Sequence, residues 1–203
     1  MNKNISRVFI VAIVVLLITA LFFALRARGP VKADSGVHLV MGTFARITVI
    51  ACDSRAGAKC IEAALAEIRK VDDMMSDYKE DSEISRVNKG AFARPVEVGE
   101  STFEVIRRSI EFSRLTDGAF DITVGPLVQL FRKAKNDGIA PTPEQIADAK
   151  VKVGYEKLIL NGADHTVRFT VEGMGLDVGG IGKGYAVDKA IESIQRVAVT
   201  TKF

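Results

Sequence analysis

The stretch Gly173–Asp188, GMGLDVGGIGKGYAVD, reads as a strand ending in the acidic Asp177, then a glycine-rich turn, then the start of a helix. Glycines at 179, 180, 182 and 184 cluster where that helix would begin. Glycine there lets backbone amides approach an anion that a Cβ would hold off, and the helix dipole favours negative charge at that end. The segment is expected to receive phosphate. Two familiar phosphate loops nevertheless fail. A Walker A loop needs glycine five places before the Gly182-Lys183 pair, where Asp177 stands, and Ser or Thr after it, where Gly184 stands. A GxGxxG dinucleotide fingerprint fails because Tyr185 occupies the place of its third glycine. From this stretch alone, a strand-to-helix turn without a ligand stays open as the plain alternative.

Outward from that stretch, strands and helices are mixed. Val37 to Ala51 has strand composition, and Arg55 to Met75 repeats Ile61, Leu65, Ile68, Val71 and Met75 at helical spacing, so Tyr78 falls just past a helix end. Asp77 to Gly90 is polar and reads as a loop or broken turns, and Phe92 to Val98 as a short strand. A second helix is predicted from Ser101, with Ser101 and Glu104 as a capping box and Gly118 just beyond its end. Ala119-Phe120-Asp121 leads into Ile122-Thr123-Val124. A third helix has Thr142 as cap, Pro143 first and Gln145 third. Lys157 to Leu160 and Val167 to Val171 form a hairpin turned by Asn161-Gly162. The fold class is α/β (α+β), a mixed sheet with flanking helices.

Charge is uneven along the 203 residues, whose formal net charge is +3. Five of the 28 basic residues and one of the 25 acidic ones precede residue 36, leaving 23 and 24 for the remainder. A nearly neutral domain argues against a nucleic-acid partner, which asks for a basic face. The early charges flank an apolar run, Val8 to Leu25, broken only by Thr19. Its 18 residues reach roughly 27 Å as a helix, near the bilayer's hydrocarbon thickness. Arginine stands where a signal-peptide cleavage site wants small residues, so an uncleaved signal anchor is expected, with residues 29 to 36 as linker. The expected organisation is residues 1–35 as anchor and linker, and residues 36–203 as one domain.

Cys52 and Cys60 are the two cysteines, at a spacing that fits no metal or redox motif; in an oxidising compartment they can bridge a strand end to a helix start. His165 in the hairpin turn and His38 at the start of the domain are poorly placed to serve a nucleophile. A serine or cysteine hydrolase is disfavoured.

Four segments together resemble the FAD:protein FMN transferases, the ApbE-type flavinyltransferases. They are Met41-Gly42-Thr43-Phe44, then Met75-Ser76-Asp77-Tyr78 with Asp81 to Asn88, then Asp117 to Leu127, and the glycine-rich stretch. Their order and approximate separation match the family from about Val37 to Ile194. The resemblance implies that Met41, Tyr78, Ala119, Phe120, Asp121 and Asp177 contact FAD, that Lys183 lies at a ligand-contact position, and that the Gly180 carbonyl is a ligand of Mg2+. Each residue type suits its role: soft or aromatic surface for a ring plane, carboxylates for ring or ribose donors, an ammonium for pyrophosphate. Each also has a plain alternative in core packing or turn capping.

The reaction implied is transfer of FMN from FAD to a Thr or Ser hydroxyl of an acceptor protein, with release of AMP. A pyrophosphatase that cuts FAD to FMN and AMP, or a non-catalytic flavin-binding module, are the alternatives. The resemblance also implies an exported domain at the bacterial inner membrane, acting on a membrane or exported electron-transfer protein. Family members continue for over a hundred residues past the helix of Gly182 to Arg196, so a C-terminally truncated domain lacking acidic metal ligands is expected here.

Overall fold

A computed structural model of the chain describes residues 12–20 and 29–200. Residues 12–20 are helical and exposed (α1). The rest of the expected span, Val8 to Leu25, lies outside the described residues, and none of the described helices is long and apolar enough to cross a membrane.

From Val31 the chain enters an antiparallel hairpin, β1 (Val31–Val40) and β2 (Thr43–Ala51), in register from Val31 opposite Ala51 to Val40 opposite Thr43. The expected linker is thus mostly strand. Asp34 explains why: its carboxylate accepts from Arg46 and Thr48 across the ladder and from the Gly36 amide, so polar composition here marks cross-strand pairing rather than a tether. A bulge between Asp34 and Val37 takes up Ser35 and Gly36.

Helix α2 (Ser54–Met75) begins at Asp53, whose side chain accepts from the Ala56 amide. Its buried face runs through Ala64, Leu65, Ile68, Val71 and Met75, as the helical spacing predicts. The hairpin lies on it at Gly57, where a Cβ would meet that of Ala33 at 2.5 Å. Along its other side α2 packs against the last helix, α7 (Gly179–Thr200).

The polar stretch after Asp77 is not a loop throughout. Ser82 caps a short helix, α3 (Glu83–Gly90), by accepting from the Ser85 amide. Ile84, Val87 and Ala91 on one face are fully buried, and three apolar residues at helical spacing outweigh their polar neighbours. Strand β3 shrinks to Val96–Glu97.

Helix α4 (Glu100–Leu115) starts at Gly99, and the expected capping box of Ser101 and Glu104 does not form. Glu104 pairs instead with Arg108, while Glu83 accepts from the Gly99 amide. Ile122–Val124 is a single 3₁₀ turn leading into α5 (Gly125–Asp137). Helix α5 is not among the predicted elements, although Pro126 in its first turn and left-handed Gly138 at its end bracket it. Helix α6 (Pro143–Lys150) carries the predicted capping box of Thr142 and Gln145. Strands β4 (Leu158–Asn161) and β5 (Thr166–Phe169) form the predicted hairpin, but its loop spans four residues, because Asn161 pairs with Thr166.

The second sheet runs β3-β5-β4, and its Val167 and Phe169 enter a core with Ile84, Val105, Ile106, Ile122 and Leu176. Each such side chain contributes roughly 1.5–3 kcal/mol by burial. The expected strand before the glycines is an unpaired extended segment. Met174, Leu176 and Val178 are buried. Asn88 both donates to the Leu176 carbonyl (3.0 Å) and accepts from its amide (2.7 Å), which replaces a neighbouring strand by one side chain.

Candidate functional site

Three chain segments converge at the N-terminus of α7. The β1–β2 turn supplies Met41 and Gly42, both at positive φ (51° and 67°), the combination a two-residue hairpin turn of this hand requires. A non-glycine residue there is uncommon, and the turn directs Met41 onto α7: a Cβ at Gly182 would lie 3.6 Å from its Cε. The end of α2 supplies Asp77 and Tyr78. The extended segment supplies Asp177, whose amide donates to the Ile122 carbonyl (2.8 Å) and whose Oδ1 accepts from the Gly179 amide (2.8 Å).

Between them is a cleft of about 230 Å³, lined by Met41, Tyr78, Arg132, Asp177, Gly179 and Lys183 among others. That is less than a cavity enclosing a whole drug-sized ligand, so the cleft has room for only part of one. Two recesses of about 500 Å³ lie elsewhere, between α4 and β4 and beside Cys52 and Cys60. Neither contains a residue of the ligand-contact motifs nor a helix N-terminus, and chemistry outranks volume in choosing the site. Both cysteines are free.

Arg132, from the unpredicted α5, organises the cleft. Its Nη1 donates to Asp77, its Nη2 donates to Asp177 Oδ2 at 3.2 Å, and its guanidinium carbon stands 4.5 Å from the Tyr78 ring centroid. Burial acts to lower its pKa, but the Asp77 hydrogen bond and charge, then Tyr78 and Asp177, outweigh it and leave the guanidinium above its ordinary value. Lys183 differs. Its Nζ donates to the Gly179 carbonyl (2.8 Å), and no carboxylate pairs with it among the described residues.

Met41, Tyr78, Asp177 and Lys183, spread over more than a hundred residues of sequence, therefore share one cleft. Ala119, Phe120 and Asp121 do not line it. The Phe120 ring abuts the start of α7 at Gly180, where a Cβ would meet its Cε2 at 3.2 Å, and packs edge-on against Phe112. Asp121 Oδ1 accepts from the Thr123 amide (2.8 Å) and hydroxyl (2.7 Å), and Oδ2 from the Tyr155 amide (2.9 Å). Gly180 is the second residue of α7, and all four glycines fall inside the helix rather than in a turn before it. Among the described residues no group of three or more His, Cys, Asp or Glu is placed to hold a metal ion. The described residues therefore supply no cluster of three such side chains for a magnesium ion. Sequence reasoning missed Arg132; the α5 brackets were readable, but nothing in its own neighbourhood marks that one basic residue.

A mixed α+β domain with a polar cleft at a helix N-terminus is the class this geometry defines. The chain belongs to the ApbE family, whose model matches residues 41–202. Among curated relatives, the FAD:protein FMN transferase of Vibrio cholerae is 32% identical over 184 residues, 88% of this chain and 54% of the relative. That of Escherichia coli K12 is 30% identical over 198 residues, 92% of this chain and 56% of the relative. The crystal structure of the ApbE protein from Thermotoga maritima matches with TM-score 0.73 and 29% identity, over 83% of this chain and 53% of that one. The flavin transferase ApbE from Vibrio cholerae matches with TM-score 0.71 and 28% identity, over 82% and 54%. The chain spans about half the length of the curated relatives it matches.

Proposed function

We propose that this chain carries the FAD-binding cleft of an FAD:protein FMN transferase. The observation that supports it most is the meeting of Met41, Tyr78, Asp177 and Lys183, all at positions where the family resemblance implies ligand contact, at the amino end of α7. The helix end and Lys183, which has no carboxylate partner among the described residues, suit the pyrophosphate. Tyr78 and Met41 offer a ring-binding surface. Ala119, Phe120 and Asp121 lie outside the cleft, and Phe120 supports the start of α7 by packing at Gly180.

In the reaction, the hydroxyl oxygen of an acceptor Thr or Ser attacks the phosphorus of the FMN half. A new P–O bond forms, the bond to the AMP phosphate breaks, AMP departs with the electron pair, and the hydroxyl proton leaves to solvent or a base. Magnesium dependence belongs to this proposal. Of its ligands the described residues offer the Gly180 carbonyl, while Asp77 and Asp177 are already held by Arg132, so none of the steps above is routed through the ion. The apolar run Val8 to Leu25 supports anchorage in a membrane, and the family resemblance, not the run, supports the bacterial inner membrane with the domain on its outer side.

The test is to incubate the full chain with FAD, Mg2+ and a candidate exported electron-transfer protein, then weigh the acceptor. A gain of one FMN with stoichiometric AMP supports the proposal. AMP without acceptor labelling replaces it with an FAD pyrophosphatase, and flavin binding without either product replaces it with a binding module.

A further inference from the structure

Two cations reach the cleft, and their partners differ. Among the described residues Lys183 bonds to a backbone carbonyl and to no carboxylate, whereas Arg132 has both arms of its guanidinium on carboxylates, Asp77 and Asp177, and its guanidinium carbon 4.5 Å from the Tyr78 ring centroid. A guanidinium with a carboxylate on each terminal nitrogen has its charge offset locally by two anions, while an ammonium with no carboxylate partner among the described residues keeps its charge available. Asp77 and Tyr78 follow the end of α2, Asp177 precedes α7, and Arg132 is in the second turn or beyond of α5. One side chain therefore ties three elements that no backbone ladder joins at this point. Tyr78 needs the tie most. The residue is 75% exposed, and its backbone amide has one 3.3 Å bond to Ser76 Oγ, so the Arg132 contact is what holds its orientation.

We propose that Arg132 is a positioning residue for the ring-binding end of the cleft: by bridging Asp77 and Asp177 beneath Tyr78 it presents the outer Tyr78 face to a heteroaromatic ring, and leaves phosphate to Lys183. This rests on the flavin-nucleotide reading above and goes beyond it by dividing the ligand between two cations. The planar fork matters to the role, since its two terminal nitrogens reach separate carboxylates while the same group lies over the ring, a spread that the compact ammonium of lysine lacks.

The experiment compares the full-length wild type with Arg132→Gln, Arg132→Lys and Lys183→Gln, using riboflavin, FAD and inorganic pyrophosphate as probes. Riboflavin and FAD are followed by flavin fluorescence, pyrophosphate by competition against FAD. Arg132→Gln weakens riboflavin and FAD alike, about ten-fold, and leaves the pyrophosphate constant unchanged. Arg132→Lys does not restore the loss. Lys183→Gln weakens FAD and pyrophosphate but not riboflavin. If Arg132→Gln instead weakens pyrophosphate and spares riboflavin, or Arg132→Lys restores binding, the positioning role is overturned. Should Arg132→Gln fold poorly, Asp77→Ala releases one arm and keeps the guanidinium; unchanged riboflavin affinity in that variant also overturns it. A wild type that binds neither riboflavin nor FAD overturns the flavin reading. The positioning role is then judged without ligand, from the NMR ring signals of Tyr78, one of three tyrosines. They shift in Arg132→Gln and not in Lys183→Gln if Arg132 orients the ring, and unchanged signals refute it.

Discussion

The two faces of the start of α7 are built from similar residue types to opposite ends. On one face Tyr78 and Lys183 turn exposed rings and charges toward a cleft, with few bonds to the protein. On the other, Asp121 spends both carboxylate oxygens on Thr123 and Tyr155, the Phe120 amide donates to Thr116 Oγ1, and Phe120 packs on Gly180 and Phe112. Both segments resemble ligand-contact motifs of the family. The difference lies in where their hydrogen-bonding capacity goes: groups already satisfied by the protein hold the frame, and groups left open can meet a ligand.

Breaking the frame should have the largest effect. Gly125 opens α5 against the glycine-rich segment, and a Cβ there would stand 2.5 Å from the Gly175 carbonyl oxygen and 2.6 Å from its carbon. Backbone cannot move aside as a side-chain tip does, so Gly125→Ala should lose about 3 kcal/mol of stability, read as a lowered urea midpoint. An unchanged midpoint would mean that α5 and Gly175 are not in contact. Next, Asp121→Ala strips the acceptor from three donors and should cost about 2 kcal/mol in the same assay. A smaller loss paired with a large loss of FAD affinity would move Asp121 to the ligand side of the comparison.

On the open face the order reverses. Tyr78→Ala should change stability by no more than about 0.5 kcal/mol, as expected of a largely exposed side chain, and weaken FAD by about ten-fold in a fluorescence titration. A stability loss matching that of Asp121→Ala would erase the distinction.

The smallest effect concerns Asp34, a satisfied carboxylate at the surface that braces the hairpin carrying Met41. The Arg46 hydrogen bond, then the Gly36 amide, lowers its pKa from 3.8 to about 2. With the folded value below the unfolded one, its contribution to stability is complete above pH 3.8 and disappears as pH falls through about 2. Carboxyl NMR shifts of Asp34 should titrate with a midpoint near 2. A midpoint at the ordinary value would show that the Arg46 pair does not persist in solution.

Legibility from the chain followed the reach of the forces involved. Helices α2 and α6 were readable because apolar spacing and a capping box act over three or four residues, and the β4–β5 hairpin because Asn161-Gly162 marks a turn. The same local logic misled at Ser101, where Glu104 chose Arg108 over the cap, and at Asp77 to Gly90, where Ile84 and Val87 prevailed over a polar composition. The ligand-contact positions came from family resemblance, and four of them share the cleft while Asp121 turns its carboxylate inward.

By itself the sequence determined the α+β class, the amphipathic helices and the family membership, all written in short patterns or their order along the chain. Only the tertiary structure decided that Arg132 meets Asp77 across 55 residues and Asp177 across 45, that Asn88 secures Leu176 across 88, and which side of α7 stays open. The reason is physical: a side chain's available bonds depend on what the fold brings beside it, and at those separations no local spacing rule specifies the neighbour.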